Sequence, residues 1–289
     1  MMNNKTVLII GATGAQGGSV TNALLKQDYK LMAYTRNAKS DNAQALAKQG
    51  VSIIEGDLTD IAALTAAMEK ADTVFAVTTP FESGTDGEVQ HGYNIADAAK
   101  AANVEHLVFS SVSDANNSTG VPHFDSKYKV EQRIVGNGLN YTFIAPVFFM
   151  ENHITAWSLP SLKEGKLSIA MPNDRKLQQV SVKDIGAFAA TVIAMGEKSY
   201  GLRVNIAGDE LTGNETARIL SAASGRDITY QSVDPQYLRS NSEDLYLMFK
   251  WFDDVGYSAN LTDLQHDFAD TQWQSLNDWA NKLDWSILD

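Results

Sequence analysis

The chain has 289 residues, no cysteine and a formal net charge of −12. The missing thiols exclude disulfides, thiol catalysis and cysteine-ligated metals, and the acidic balance argues against a nucleic-acid partner. No apolar run approaches the ~18 residues of a membrane span. Met1 to Thr6 leads straight into the first strand with no room for a signal peptide, so a cytoplasmic location without membrane contact is expected.

In chain order, residues 7–10 form a short apolar run that reads as a buried strand. Gly11, Gly14 and Gly17 follow it at G-x-x-G-x-x-G spacing, and Val20, Leu24 and Leu25 begin a helical stripe. That order suits a dinucleotide. Gly11 allows a sharp turn at positive φ, Gly14 lets the backbone approach a pyrophosphate, and Gly17 lets the helix pack on the strand. The N–H groups at the helix start attract the phosphate charge. A second strand alternates over residues 29–35 and ends at Arg36 and Asn37. Residues 41–49 read as a helix closed by Gly50, and 51–55 as a third strand followed by Asp57 and Leu58. Asp60 caps the next helix. A fourth strand, 73–77, leads into Thr78, Thr79, Pro80 and Phe81, then a polar loop with Gly84 and Gly87. Residues 88–102 read as a helix, 105–109 as a fifth strand ending at Ser110 and Ser111, and 114–122 as a mobile polar loop. A helix over 124–135 and a sixth strand over 140–145, broken by Pro146, follow.

Five βα units in succession predict an α/β fold, a doubly wound parallel Rossmann sheet with a smaller C-terminal α/β lobe. The expected division is a NAD(P)-binding domain over residues 1–150 and a lobe over 151–289 that closes the cleft. Segments within about 179–207 return to the first domain. Within the lobe, 164–171 reads as hairpin-like, 214–223 as a helix, and the tail from Pro235 as helical.

The unusual residues fall just after the carboxyl ends of predicted strands, the edge where open parallel sheets bind ligands. At ~20 residues beyond the glycines an NAD site would hold an acid for the ribose hydroxyls. Here stand Arg36, Asn37 and Lys39, a setting that favours NADP(H) over NAD(H) by bidentate contact with a ribose phosphate. Asp57 reaches the adenine edge or merely caps a turn. Ser110 bonds a ribose or substrate or is structural. His123 and Lys127 share one helix face at i, i+4 spacing. Reductases of this architecture carry Tyr-x-x-x-Lys, and here His123 replaces the tyrosine, with Lys127 left as the ribose-binding candidate. The five histidines show no metal-ligand spacing, so no metal is expected.

The runs 11–20, 35–37, 106–111, 123–127 with Val130 and Glu131, and 148–152 resemble the NmrA-like family of atypical short-chain dehydrogenase/reductase relatives, which includes the HSCARG-like redox sensors. The resemblance runs from the first strand to the tail. It implies a cleft binding NADP(H), with nucleotide contacts at Gly11, Thr13, Gly14, Ala15, Gln16, Gly17, Arg36, Asn37, Lys39, Asp57, Leu58, Thr78, Thr79, Pro80, Phe81, Lys127, Phe149, Glu151 and Asn152. The missing tyrosine, shared by the regulatory branch, implies a cofactor sensor acting through a protein partner. The alternative is an NADPH-dependent oxidoreductase acting on quinones or similar flat electrophiles, by a route that does not need His123.

Overall fold

The computed structural model describes residues 5–289. In chain order the elements are β1 (Thr6–Ile10), α1 (Ala15–Leu24), β2 (Lys30–Thr35), α2 (Asp41–Lys48), β3 (Ser52–Glu55), α3 (Ile61–Met68), β4 (Thr73–Val77) and α4 (Pro80–Ala101). Next come β5 (His106–Ser110), α5 (Pro122–Gly136), β6 (Tyr141–Pro146), β7 (Phe148–Phe149), α6 (Leu159–Lys163), β8 (Lys166–Ile169), β9 (Lys176–Val180) and α7 (Val182–Met195). The chain closes with β10 (Leu202–Ile206), β11 (Asp209–Thr212), α8 (Gly213–Ser224), β12 (Thr229–Ser232), α9 (Gln236–Arg239), α10 (Glu243–Asp254), α11 (Leu261–Asp267) and α12 (Leu276–Ala280).

Strand alternation builds the main layers. In β1, Val7 and Ile9 face one core with Val20 and Leu24 of α1, Leu46 of α2 and Phe188 of α7. Leu8 and Ile10 face the opposite core with Leu64 of α3, Ile95 of α4 and Val130 of α5. Successive side chains point to opposite faces, so a strand covered on both sides must be apolar throughout. Seven parallel strands in the order β10-β6-β5-β4-β1-β2-β3 result. The order reverses between β1 and β4, the place where open parallel sheets form a ligand crevice at the carboxyl ends of their strands.

A third core joins Phe148, Leu167, Trp251, Phe252 and Trp279, and Phe124 of α5 reaches into it. The β11-β9-β7 sheet and the β12-β8 pair contribute to it, through Leu177 of β9 and Ile169 of β8 among others. The start of α5 is thus shared between the main sheet and the C-terminal elements.

Three expectations need correction. The polar loop at Gly84 and Gly87 is mostly helical: helical turns already begin at Pro80, and only Gly84, at φ 71° and ψ 175°, leaves helical geometry and separates two helical segments. Residues 164–171 make no hairpin: β8 pairs in parallel with the distant β12. The supposed mobile loop is anchored, since Asp114 is buried and accepts from the backbone N–H of Ser258 at 3.0 Å and from the Asn117 amide at 3.0 Å.

Candidate functional site

The β1–α1 turn is shaped by close approach. Gly11 has φ 83°, and the N–H of Gly14 donates to its carbonyl at 3.0 Å. A Cβ on Gly17 would stand 2.2 Å from the Gly11 oxygen, whereas one on Gly14 would meet nothing nearer than 3.5 Å. Gly17 therefore serves helix-on-strand packing, and Gly14, exposed at the helix start, leaves room for a ligand. The N–H groups of Ala15, Gln16 and Gly17 meet no acceptor among the described residues. Unpaired N–H groups at a helix start are a site for phosphate, so the turn fits a dinucleotide pyrophosphate. Thr13 is held through its carbonyl, which accepts from Asn42 at 3.0 Å. Ser110 donates to the Gln16 side chain at 2.6 Å, joining the first turn of α1 to the end of β5.

The other side of the crevice is built on buried charge. Glu88 of α4 is fully buried, and Lys127 of α5 stands 2.9 Å from it. The Lys127 ammonium also donates to the Thr78 carbonyl at 2.5 Å and to its hydroxyl at 3.1 Å. Glu88 accepts from Thr78 at 3.0 Å and from Ser126 at 2.5 Å. Burial pulls the Lys127 pKa below its ordinary value, and the Glu88 carboxylate holds it up against that pull. The Lys127 ammonium is thus engaged by Glu88 and Thr78, and these contacts tie α5 to the loop after β4.

Arg36 stands at the end of β2, exposed, with its guanidinium 2.8 Å from Glu82 in the first turn of α4. Asn37 accepts from the Lys39 N–H at 2.9 Å, closing a turn that leaves the Lys39 side chain exposed. Asp57 takes the capping role: it accepts from the hydroxyl and N–H of Thr59, at 2.6 and 2.8 Å, and these bonds hold its carboxyl below the usual range. The Leu58 carbonyl accepts from Asn94 at 2.8 Å. Thr79 caps α4 through the Phe81 N–H, Pro80 occupies its first position, and Phe81 projects 76% exposed.

His123 opens α5, a helix whose N-cap residue Val121 offers no side-chain acceptor. Asp244, from the first turn of α10, supplies one. Its two oxygens accept from the His123 N–H at 3.1 Å and meet Nδ1 at 2.7 Å. Burial pushes the Asp244 carboxyl up, but the bonds and charge of His123 outweigh it and hold the carboxyl below its ordinary value. Phe149, the last residue of β7, and Asn152 just after it are half-buried. The Glu151 carboxylate accepts from the Val182 N–H at 3.0 Å and the Trp279 indole at 3.1 Å, and burial pushes its pKa up. It ties the segment after β7 to α7 and α12.

Glu88, Glu82 and Asp244 were missed in the sequence. Glu88 carried a signal, because it shares the apolar stripe of Gly92, Ile95 and Ala99, and an acid there demands a buried partner. Asp244 carried none, since its partner lies 121 residues away.

Residues 3–286 match the NmrA-like family. An NmrA-like family domain-containing protein of Dictyostelium discoideum is 28% identical over 269 residues, 88% of this chain and 89% of its own. Quinone oxidoreductase 2 of Escherichia coli is 30% identical over 230 residues, 78% of this chain and 77% of its own. The solved structure of the NADPH-dependent quinone oxidoreductase of Escherichia coli, complexed with NADPH, superposes with a TM-score of 0.71 at 26% identity, covering 91% of this chain and 99% of that one. With its doubly wound sheet, its glycine turn and a match that spans nearly the whole chain, the protein belongs to the NmrA-like family.

Proposed function

We propose that the protein is an NADP(H)-dependent reductase of quinones or similarly flat electron acceptors. The observation that carries the reading is the crevice at the β1/β4 reversal. Unpaired helix N–H groups stand ready for a pyrophosphate there, and Arg36 stands at the end of β2 where the adenosine ribose would lie. The bound nicotinamide would supply a hydride. The chain's own residues would seat the phosphates on Ala15 to Gly17, hold the 2′-phosphate with Arg36 and Lys39, and offer Phe81 as an exposed aromatic wall. The likeness to a quinone oxidoreductase supports this substrate class.

The Arg36–Glu82 pair decides how selective the site is. Both partners are more than half exposed, so the pair contributes at most about 1 kcal/mol. Charge-assisted bonds to a ribose phosphate are worth roughly 1.5–3 kcal/mol and would displace it. Calorimetric titration of Arg36→Ala should show NADPH binding weakened about 10- to 100-fold with NADH nearly unchanged. Equal weakening of both cofactors would refute the phosphate role.

The same pair favours a second reading, a cofactor sensor. Releasing Glu82 frees the first turn of α4, which is already kinked at Gly84, so bound and free forms would differ at that surface. NADPH-dependent protection of residues 80–88 from hydrogen exchange, in a protein that reduces no quinone, would favour the sensor.

A further inference from the structure

The geometry points to Asp244 as a positioning residue that holds His123 in one tautomer, with Nε2 open to the cleft as the proton donor to a reduced quinone oxygen. The proposal rests on the reductase reading and deepens it by naming the acid and the group that orients it, in place of the His123-independent route expected from the sequence.

Helices that return the chain between parallel strands run antiparallel to them, so the first turn of α5 lies at the carboxyl edge of the sheet. Lys127, one turn further along the helix, confirms that placement by reaching the carbonyl of Thr78, just beyond β4. The His123 ring is held on three sides. Phe124 packs edge-on at 4.7 Å between centroids, Phe81 stands at 6.3 Å, and Asp244 takes Nδ1 at 2.7 Å. Nε2 has no hydrogen-bond partner among the described residues, and it is not enclosed. An ionised carboxylate only accepts, so the Nδ1 position must carry a hydrogen, and a neutral ring is left with a bare Nε2. When that nitrogen takes a proton from solvent, the imidazolium keeps Nδ1–H on Asp244 and presents Nε2–H to the cleft.

The carboxylate comes from α10, outside the main sheet, and so ties the acid's geometry to the docking of the C-terminal elements. Its second oxygen, on the His123 backbone N–H, fixes the approach angle of the first. The substrate edge would lie beside Phe81, whose exposed ring gives a planar acceptor a surface to stack on.

The step balances as follows. A hydride, carrying two electrons, passes to the quinone from the reduced nicotinamide and gives the hydroquinone monoanion and the oxidised cofactor. The Nε2–H bond breaks, its proton goes to the oxyanion, and the imidazolium becomes neutral. Solvent then restores the proton, so quinone, NADPH and one proton give hydroquinone and NADP⁺.

The test starts with the parent protein. Long-range proton–nitrogen correlation spectra of histidine-labelled, cofactor-free protein at alkaline pH should place the His123 hydrogen on Nδ1, opposite to the preference of a free imidazole. Asp244→Asn should move it to Nε2, because the amide can donate to Nδ1, while its oxygen still caps the His123 N–H and preserves the fold. With para-benzoquinone, Asp244→Asn and His123→Gln should each lower kcat about 100-fold and leave KM and NADPH affinity within about twofold. An Nε2–H tautomer in an active parent would overturn the positioning by Asp244 and leave the reductase reading standing. An unchanged kcat in both variants would overturn the acid role. A parent that binds NADPH but reduces no quinone would overturn the reductase reading and, with it, the catalytic part of the proposal.

Discussion

The two flanks of the crevice are built on opposite principles. On the β1–α1 side the working parts are backbone N–H groups and the absence of side chains, with Gly17 pressed against the Gly11 carbonyl. On the β4–α5 side the working parts are long charged side chains, with Lys127 and Glu88 paired in a buried position. The first flank tolerates almost no added volume at one glycine and ample volume at another. The second cannot lose one charge without leaving the other buried alone. A binding edge can thus be rigid for steric reasons on one side and for electrostatic reasons on the other.

The sharpest way to break the charged flank is Lys127→Met. It leaves Glu88 buried without a counter-charge, and about 3–5 kcal/mol of stability should be lost. Lys127→Met combined with Glu88→Gln should recover most of that loss, because no net charge stays buried. Urea unfolding of the two variants decides the matter, and a single variant as stable as the parent would show that Glu88 does not depend on Lys127.

The glycine flank should break with Gly17→Ala, where the new Cβ would overlap the Gly11 carbonyl at 2.2 Å. The two backbones cannot separate without moving α1 off β1, so a cost of about 3 kcal/mol is expected. Gly14→Ala should change stability by no more than about 0.5 kcal/mol, since only an ordinary contact at 3.5 Å awaits it. Gly14→Val should fold and lose NADPH, because its branched Cβ would stand where the pyrophosphate approaches. Thermal unfolding beside NADPH titration separates the two glycines, and similar losses of stability at both would refute the division.

Buried histidines sharpen the comparison further, because they extend the electrostatic sensitivity beyond the crevice. Burial lowers His106 and His153 from 6.5 to about 4, with Glu105 opposing the shift for the first and the Gln179 hydrogen bond for the second. Between those values the unfolded chain binds more protons than the folded one. Stability is therefore fully present above the unfolded pKa and falls as pH drops toward 4. At about pH 5 the expected loss is about 2 kcal/mol per histidine. Glu151 and Asp184, whose carboxyls burial pushes up, act in the opposite sense, so a comparison with His153→Gln isolates one imidazole. The decline from neutral pH to about pH 5 should be smaller in that variant by about 2 kcal/mol. An identical decline would show that His153 titrates alike in both states.

Much of this molecule is local in origin and therefore legible in the chain. The apolar run of β1 must be covered on both faces, the glycine spacing imposes the turn, and the Arg36 position follows from counting residues beyond it. Alternation, turn geometry and helix periodicity act over a few residues, which is why the parallel sheet and its glycine turn are legible in the chain. Tertiary structure alone decided the partners. Nothing near Lys127 in the chain indicates that Glu88 and Thr78 take up its protons, nothing near His123 points to Asp244, and the parallel pairing of β8 with β12 joins segments too far apart for a local pattern. The physical reason is common to all three. A buried charge, a ring nitrogen and a strand edge each require a partner, but only the packing of distant elements determines which group comes within hydrogen-bonding distance.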